Sequence, residues 1–132
     1  MPDAFSDNGL YVSSTLQQAL KLTLNNTGVI SGCAVSEQTV PDMTIKSAVG
    51  SVFIAGSMVS VPVDASTTIN AAHATLDRYD LISVNASGVI VYTAGTASAT
   101  AVPPDIPASN CPLAIIYVAA AVTTILNAVI YD

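Results

Sequence analysis

Tryptophan is missing from this sequence, and positive charge nearly so: Lys21, Lys46 and Arg78 are its only basic residues apart from one histidine. Binding a nucleic-acid backbone takes clustered Lys and Arg to neutralise phosphates. A net charge of −6 adds repulsion instead, so nucleic acid is not an expected partner. An anionic membrane surface is an equally poor one. Histidine occurs once, as His73, and glutamate once, as Glu37. A Ser-His-Asp site needs a histidine held by a carboxylate beside an activated serine, and there is no Gly-x-Ser-x-Gly elbow. A pairing of His73 with Cys33 or Cys111 is formally open. Flanked by Ala72 and Ala74, His73 reads more simply as a solvated loop residue. Two facing carboxylates, as in glycosidases, are also hard to find. Asp77 and Asp80 are close in sequence, but a spacing of three puts them on opposite faces of a strand. Asp77, Asp80 and Asp105 lack the Asp-rich loop spacing of a calcium site, and no glycine-rich phosphate loop is present. The expectation is a non-enzymatic protein without cofactor or metal.

Cys33 and Cys111 are the only cysteines, with no Cys-x-x-Cys spacing. They read as two buried small hydrophobes, with a disulfide between them as the alternative. Residues 1–7 have neither a basic nor an apolar stretch, so a secretory signal is not expected. The longest apolar run, Leu113 to Val122, falls short of the roughly 18 residues of a spanning helix. Membrane insertion is not expected either.

What is present is an apolar fraction of 52% with only 9% charged residues, against about 25% charged in an average soluble domain. The 132 residues suit one domain. Ser14 to Leu24 opens with capping-box spacing between Ser14 and Gln17. Leu16, Ala19, Leu20 and Leu24 then recur at helical intervals, and Gly28 follows a stop of two asparagines and a threonine. A short N-terminal helix is expected at about 14–25. Beyond Gly28 the period becomes two. Strands are expected at 29–35, 43–49, 52–54, 59–63, 67–71, 79–85, 89–93, 113–119 and 125–131. Pro62 cannot donate a ladder hydrogen bond and marks an edge strand or a bulge. Gly95 to Pro112 reads as a long loop carrying four of the seven prolines. One helix followed by short, evenly spaced strands predicts a mainly β protein: an antiparallel, jelly-roll-like β-sandwich with one short N-terminal helix.

Arg78 and Asp80 fall on one face of a strand. In a chain with so few charges they predict a structural ion pair that pins a loop, because Arg can hold a carboxylate and backbone carbonyls together.

The order of motifs is itself distinctive. Asn26-Thr27-Gly28-Val29 is followed by Gly50 to Gly56, then by Arg78-Tyr79-Asp80-Leu81-Ile82. Ser87-Gly88-Val89-Ile90, Gly95-Thr96, Pro103-Pro104-Asp105-Ile106-Pro107 and Leu113 to Val118 come next, and the chain closes on Ile125 to Ile130 with Asp132. This series resembles a module of tailed-phage baseplate, tail-fibre and receptor-binding proteins, over about residues 9–132. The turn after the Leu-Ala strand, Ala119-Ala120-Ala121, departs from the glycine usual there. The resemblance implies an antiparallel β-domain in a ring-like assembly, most often a trimer. It also implies residence in a virion put together in the host cytoplasm, with other virion proteins as partners. A head decoration or capsid-surface protein is the alternative. A host-recognition carbohydrate-binding module is another, disfavoured by the absence of Trp and by having only Tyr11, Tyr79, Tyr92, Tyr117 and Tyr131.

Low charge leaves large uncharged faces, which usually mark interfaces. The expected homo-oligomer contact is the long loop, through Pro103, Pro104, Ile106 and Pro107. Prolines there leave few N–H groups to desolvate. The leucine stripe of the N-terminal helix, with Leu16 and Leu20, is the second expected contact.

Overall fold

The computed structural model describes residues 27–131. The expected helix at about 14–25, with Leu16 and Leu20, lies outside them. The described chain is mainly β. Its strands are β1 (Gly28–Gly32), β2 (Val35–Glu37), β3 (Thr44–Ser47), β4 (Gly50–Ile54), β5 (Ser57–Val61), β6 (Ala65–Thr68), β7 (Arg78–Val84), β8 (Ile90–Thr93), β9 (Cys111–Val118) and β10 (Ile130–Tyr131). All pairings are antiparallel. They form three sheets, ordered β1-β4-β5, β2-β3-β6 and β10-β9-β7-β8.

The first two sheets are one meander bent in the middle. Gly32 faces Gly50 and Val35 faces Ser47, so the pairing crosses the bend without a slip. On the other side Gly50 faces Val61 while Ser47 faces Ala65, which inserts one extra residue within 62–64. Pro62 sits at that bulge, on the outer strand, where its missing N–H costs no ladder bond. The bend explains why the expected strand at 29–35 is broken and the one expected at 43–49 ends at Ser47. Gly32 and Cys33 turn the chain with φ of 65° and 58°. A Cβ on Gly32 would also collide with the Val49 carbonyl oxygen. Hydrogen bonds bridge the kink: Cys33 N–H donates to Val49 O and Ala48 N–H to Ala34 O, both at 3.0 Å. The Asp64 carboxylate then takes the Val49 N–H at 2.9 Å.

Strand positions 78, 80, 82 and 84 of β7 share one face, and Ile82 and Val84 on it join a single core with Ile45, Val52, Ile116 and Ile125. Ile45, Ile82, Ile116 and Ile125 are completely buried, each contributing about 1.5–3 kcal/mol relative to exposure. Cys33 and Cys111 lie in the same core as free thiols, and burial pushes both up from the ordinary thiol value.

The loop before β9 is long, as expected, but ends earlier. Cys111 and Pro112 belong to β9, with Pro112 opposite Ser83 where the register shifts. The expected last strand, 125–131, is mostly something else. Ile125 is a buried anchor, Asn127–Val129 form a 3-10 turn, and only Ile130 and Tyr131 pair with β9. The strand expected at 67–71 begins two residues earlier and ends at Thr68.

Candidate functional site

Arg78 and Asp80 open β7, and the structure brings them together. Arg78 Nε donates to Asp80 Oδ1 at 2.8 Å and Nη2 to Oδ2 at 3.1 Å. Both residues are buried, Asp80 completely. The guanidinium also reaches back to the loop after β6, donating to Ala71 O at 2.8 Å and to Asn70 O. Asp80 fills its remaining lone pairs with the Tyr92 hydroxyl at 2.5 Å and the Gly95 N–H at 2.9 Å. Tyr92 in turn accepts the Asn70 N–H at 3.1 Å. One carboxylate and one guanidinium thus tie together β7, β8, the residues after β6 and the start of the long loop. Hydrogen bonding to Asp80 raises Arg78 above its ordinary value. Burial and the same carboxylate push Tyr92 up to about 12. Four of the five guanidinium N–H groups and both carboxylate oxygens are thus partnered by the chain itself.

The opposite face of the same sheet is partly roofed by the long loop. Leu81 points there and is only 1% exposed, although it belongs to no part of the main core. The loop is fastened on both sides of it. Ser98 N–H donates to Asp77 O at 3.0 Å, and Asn110 Nδ2 donates to Ser83 Oγ at 3.1 Å. Gly95 passes so close to Tyr79 that a Cβ would collide with its carbonyl oxygen. On its outer side the loop exposes Val102 (70%) and Ile106 (52%), and Pro103 with them, while Pro104 and Pro107 are half-buried.

Beside this roof Asp77 makes a second polar cluster. The Tyr117 hydroxyl donates to Oδ2 at 2.6 Å and the Ala120 N–H to Oδ1 at 2.8 Å. These two donors hold the Asp77 carboxyl below the usual carboxylate value, and the same bond holds the Tyr117 phenol above its own. Asp77 and Asp80 thus serve opposite sides of the sheet, as their spacing predicts.

Sequence reasoning missed Tyr92, Gly95 and the Asp77–Tyr117 bond. Tyr92 had a signal: it lies opposite Ile82, one step along the face that carries Asp80. Asp77 and Tyr117 had none, because pairing β7 with β9 requires knowing that the chain skips β8. His73 is more than a solvated residue. Its Nδ1 accepts the N–H groups of Thr75 and Leu76 at 3.1 Å, and its carbonyl accepts the Ala121 N–H at 2.8 Å. Among the described residues no three of His, Cys, Asp and Glu gather as metal ligands would, and no helix is long and apolar enough to cross a membrane.

No protein-family model matches the chain, and neither a curated protein nor a solved structure gives a match.

Proposed function

We propose that this chain is a non-enzymatic structural subunit of a phage-type virion, in the tail, the baseplate or a fibre attachment, and that it works as a homotrimer bound to other virion proteins. The observation that carries the reading is the long loop. Its inner side is fastened over Leu81, and its outer side presents Val102, Pro103 and Ile106 with Asp105 as the only charge between Ala94 and Asn110. An apolar, proline-rich surface held in place by its own domain has little ordering entropy left to lose on association. The motifs that carry the phage resemblance also meet in space, since Arg78, Asp80 and Gly95 share one hydrogen-bonded knot. In this reading the bent meander and the four-stranded sheet close over the common core as a jelly-roll-like sandwich.

Sedimentation of the purified chain tests assembly. A trimer is expected, and Val102→Lys with Ile106→Lys should give a folded monomer whose melting temperature no longer depends on concentration. A wild-type monomer at micromolar concentration refutes the assembly reading. Locating the chain in a particle map by cryo-electron microscopy tests the virion role.

A further inference from the structure

Three of the five aromatic residues in the described chain, Tyr79, Tyr117 and Tyr131, fall on one face of one sheet. Tyr79 lies directly opposite Tyr117, and Tyr131 pairs with Ile115, two residues before Tyr117 on β9. Tyr79 and Tyr117 are therefore neighbours, and Tyr131 stands diagonal to Tyr117 on the same face. Tyr131 is 55% exposed, and Tyr79 and Tyr117 are half-buried. The Tyr79 and Tyr117 rings stand 5.3 Å apart with their planes inclined at 49°, which makes a shallow V. Beneath it opens a recess of about 220 Å³ between these rings, Asp77, Ser98 and Thr100.

We propose that this recess binds an uncharged saccharide. A pyranose ring has an apolar C–H face and a rim of hydroxyls, so it needs an aromatic wall and paired acceptors and donors beside it. Tyrosine offers an apolar body with a polar tip, and small-ligand sites generally combine such walls with a few fixed polar groups. The polar groups here are already held in place. Asp77 Oδ1 and Oδ2 each spend one lone pair on Ala120 and Tyr117 and keep another for a sugar hydroxyl. The Tyr117 oxygen, having given its hydrogen to Asp77, is left as an acceptor. Ser98 Oγ accepts the Thr100 N–H at 3.1 Å and shares a hydrogen with Thr100 Oγ1 at 3.4 Å, which leaves one of the two hydroxyl hydrogens free to donate.

Charge selects within the class. Asp77 is held ionised and the net charge is −6, so sialic and uronic acids are repelled, as are nucleotides. A second copy of this chain fits the recess less well than a sugar does. Its floor is carboxylate and hydroxyl, which an apolar contact would desolvate without return. This inference stands apart from the assembly proposal, since the recess lies within one chain.

Titration by NMR tests it, with methyl glycosides of glucose, galactose, mannose and N-acetylglucosamine and their short oligomers as probes. Sialic acid and glucuronic acid are the anionic controls. At least one neutral probe should bind at about millimolar concentration and shift the amides of Tyr79, Ser98, Thr100 and Tyr117, while the acids shift none. Tyr117→Ala should weaken that binding by about tenfold or more, and Tyr117→Phe by less. Thr100→Val, an exposed loop change, should weaken it severalfold at unchanged melting temperature, which keeps the test valid should Tyr117→Ala not fold. Two results overturn the proposal: no neutral probe moves these amides, or the shifts fall elsewhere.

Discussion

Glu37 and Asn127, ninety positions apart in the chain, hold each other by their backbones. The Asn127 side-chain oxygen takes the Glu37 N–H, and the Glu37 carboxylate takes the Asn127 N–H, both at 2.8 Å. The carboxylate thereby caps the first turn of the 3-10 helix, whose N-terminal N–H groups otherwise lack partners. Both bonds are exposed, so each is modest. Glu37→Ala and Asn127→Ala should each cost about 1 kcal/mol, and the double variant less than the two together. A double-mutant cycle in denaturant checks the coupling. Additive losses would show that the two bonds act independently.

Arg78→Ala strands the Asp80 carboxylate in a completely buried position. Removing one member of a buried pair typically costs about 3–5 kcal/mol. A loss in that range is expected in chemical denaturation, and a loss below about 1 kcal/mol would mean that water or a shifted side chain replaces the guanidinium.

Gly95→Ala places a methyl group against the Tyr79 carbonyl oxygen and pushes the Gly95 N–H off Asp80. Forced overpacking of this kind costs about 1–3 kcal/mol. The expected readout beyond stability is faster amide exchange at Gly95 and Ser98, because the roof is hung from that contact.

Tyr92 makes the fold sensitive to alkali. Its value is raised from 10.0 to about 12, so the folded state holds the phenol proton more tightly than the unfolded chain does. That stability is fully present below about pH 10 and is lost as pH rises through about 12. Tyr92→Phe should start less stable at neutral pH and show a flatter decline over this window. Urea midpoints measured across it decide the matter, and parallel curves would remove Tyr92 as the cause.

Asp77 acts at the acid end with the opposite sign. Tyr117 and Ala120 lower its value in the folded state, so its contribution is present above the ordinary carboxylate value and fades as pH falls through the lowered one. Asp77→Asn should reduce the slope of melting temperature against pH in the acid range. Tyr117→Phe, which removes the larger of the two donors, should do so in part.

Much of the fold is legible in the residues. The switch to a period of two after Gly28, the hairpin turn at Ser87-Gly88 and the proline-rich loop all have local causes. The bend at Gly32–Cys33 is only half legible: Gly32 inside the run Val29 to Val35 signals a break, but nothing local shows that Cys33 takes φ of 58°. There the Cys33 N–H meets the Val49 carbonyl oxygen, a contact between segments well apart in sequence. The Arg78–Asp80 face is readable because both residues lie on one strand. The tyrosine face is not, since Tyr79, Tyr117 and Tyr131 come from three strands whose neighbours are fixed by topology. Five scattered tyrosines argue against a sugar site in the sequence, and two of them, Tyr79 and Tyr117, meet in space.

The bent meander also sets an order of events in time. None of its backbone pairings joins residues more than 25 positions apart, whereas Arg78 must find Val118 across 40. Closing the longer span carries the greater entropic cost, and chains rich in near-neighbour pairings fold faster. Residues 28–68 and the β7–β8 hairpin, whose pairs lie at most 12 positions apart, are therefore the parts that zip first, while the other edge of β7 waits for β9 with its apolar face still open. During that interval the growing edge can recruit a strand from another molecule as readily as its own. Dilution during refolding should raise the yield of correctly closed chains, and this half-finished sheet is where crowding does its damage.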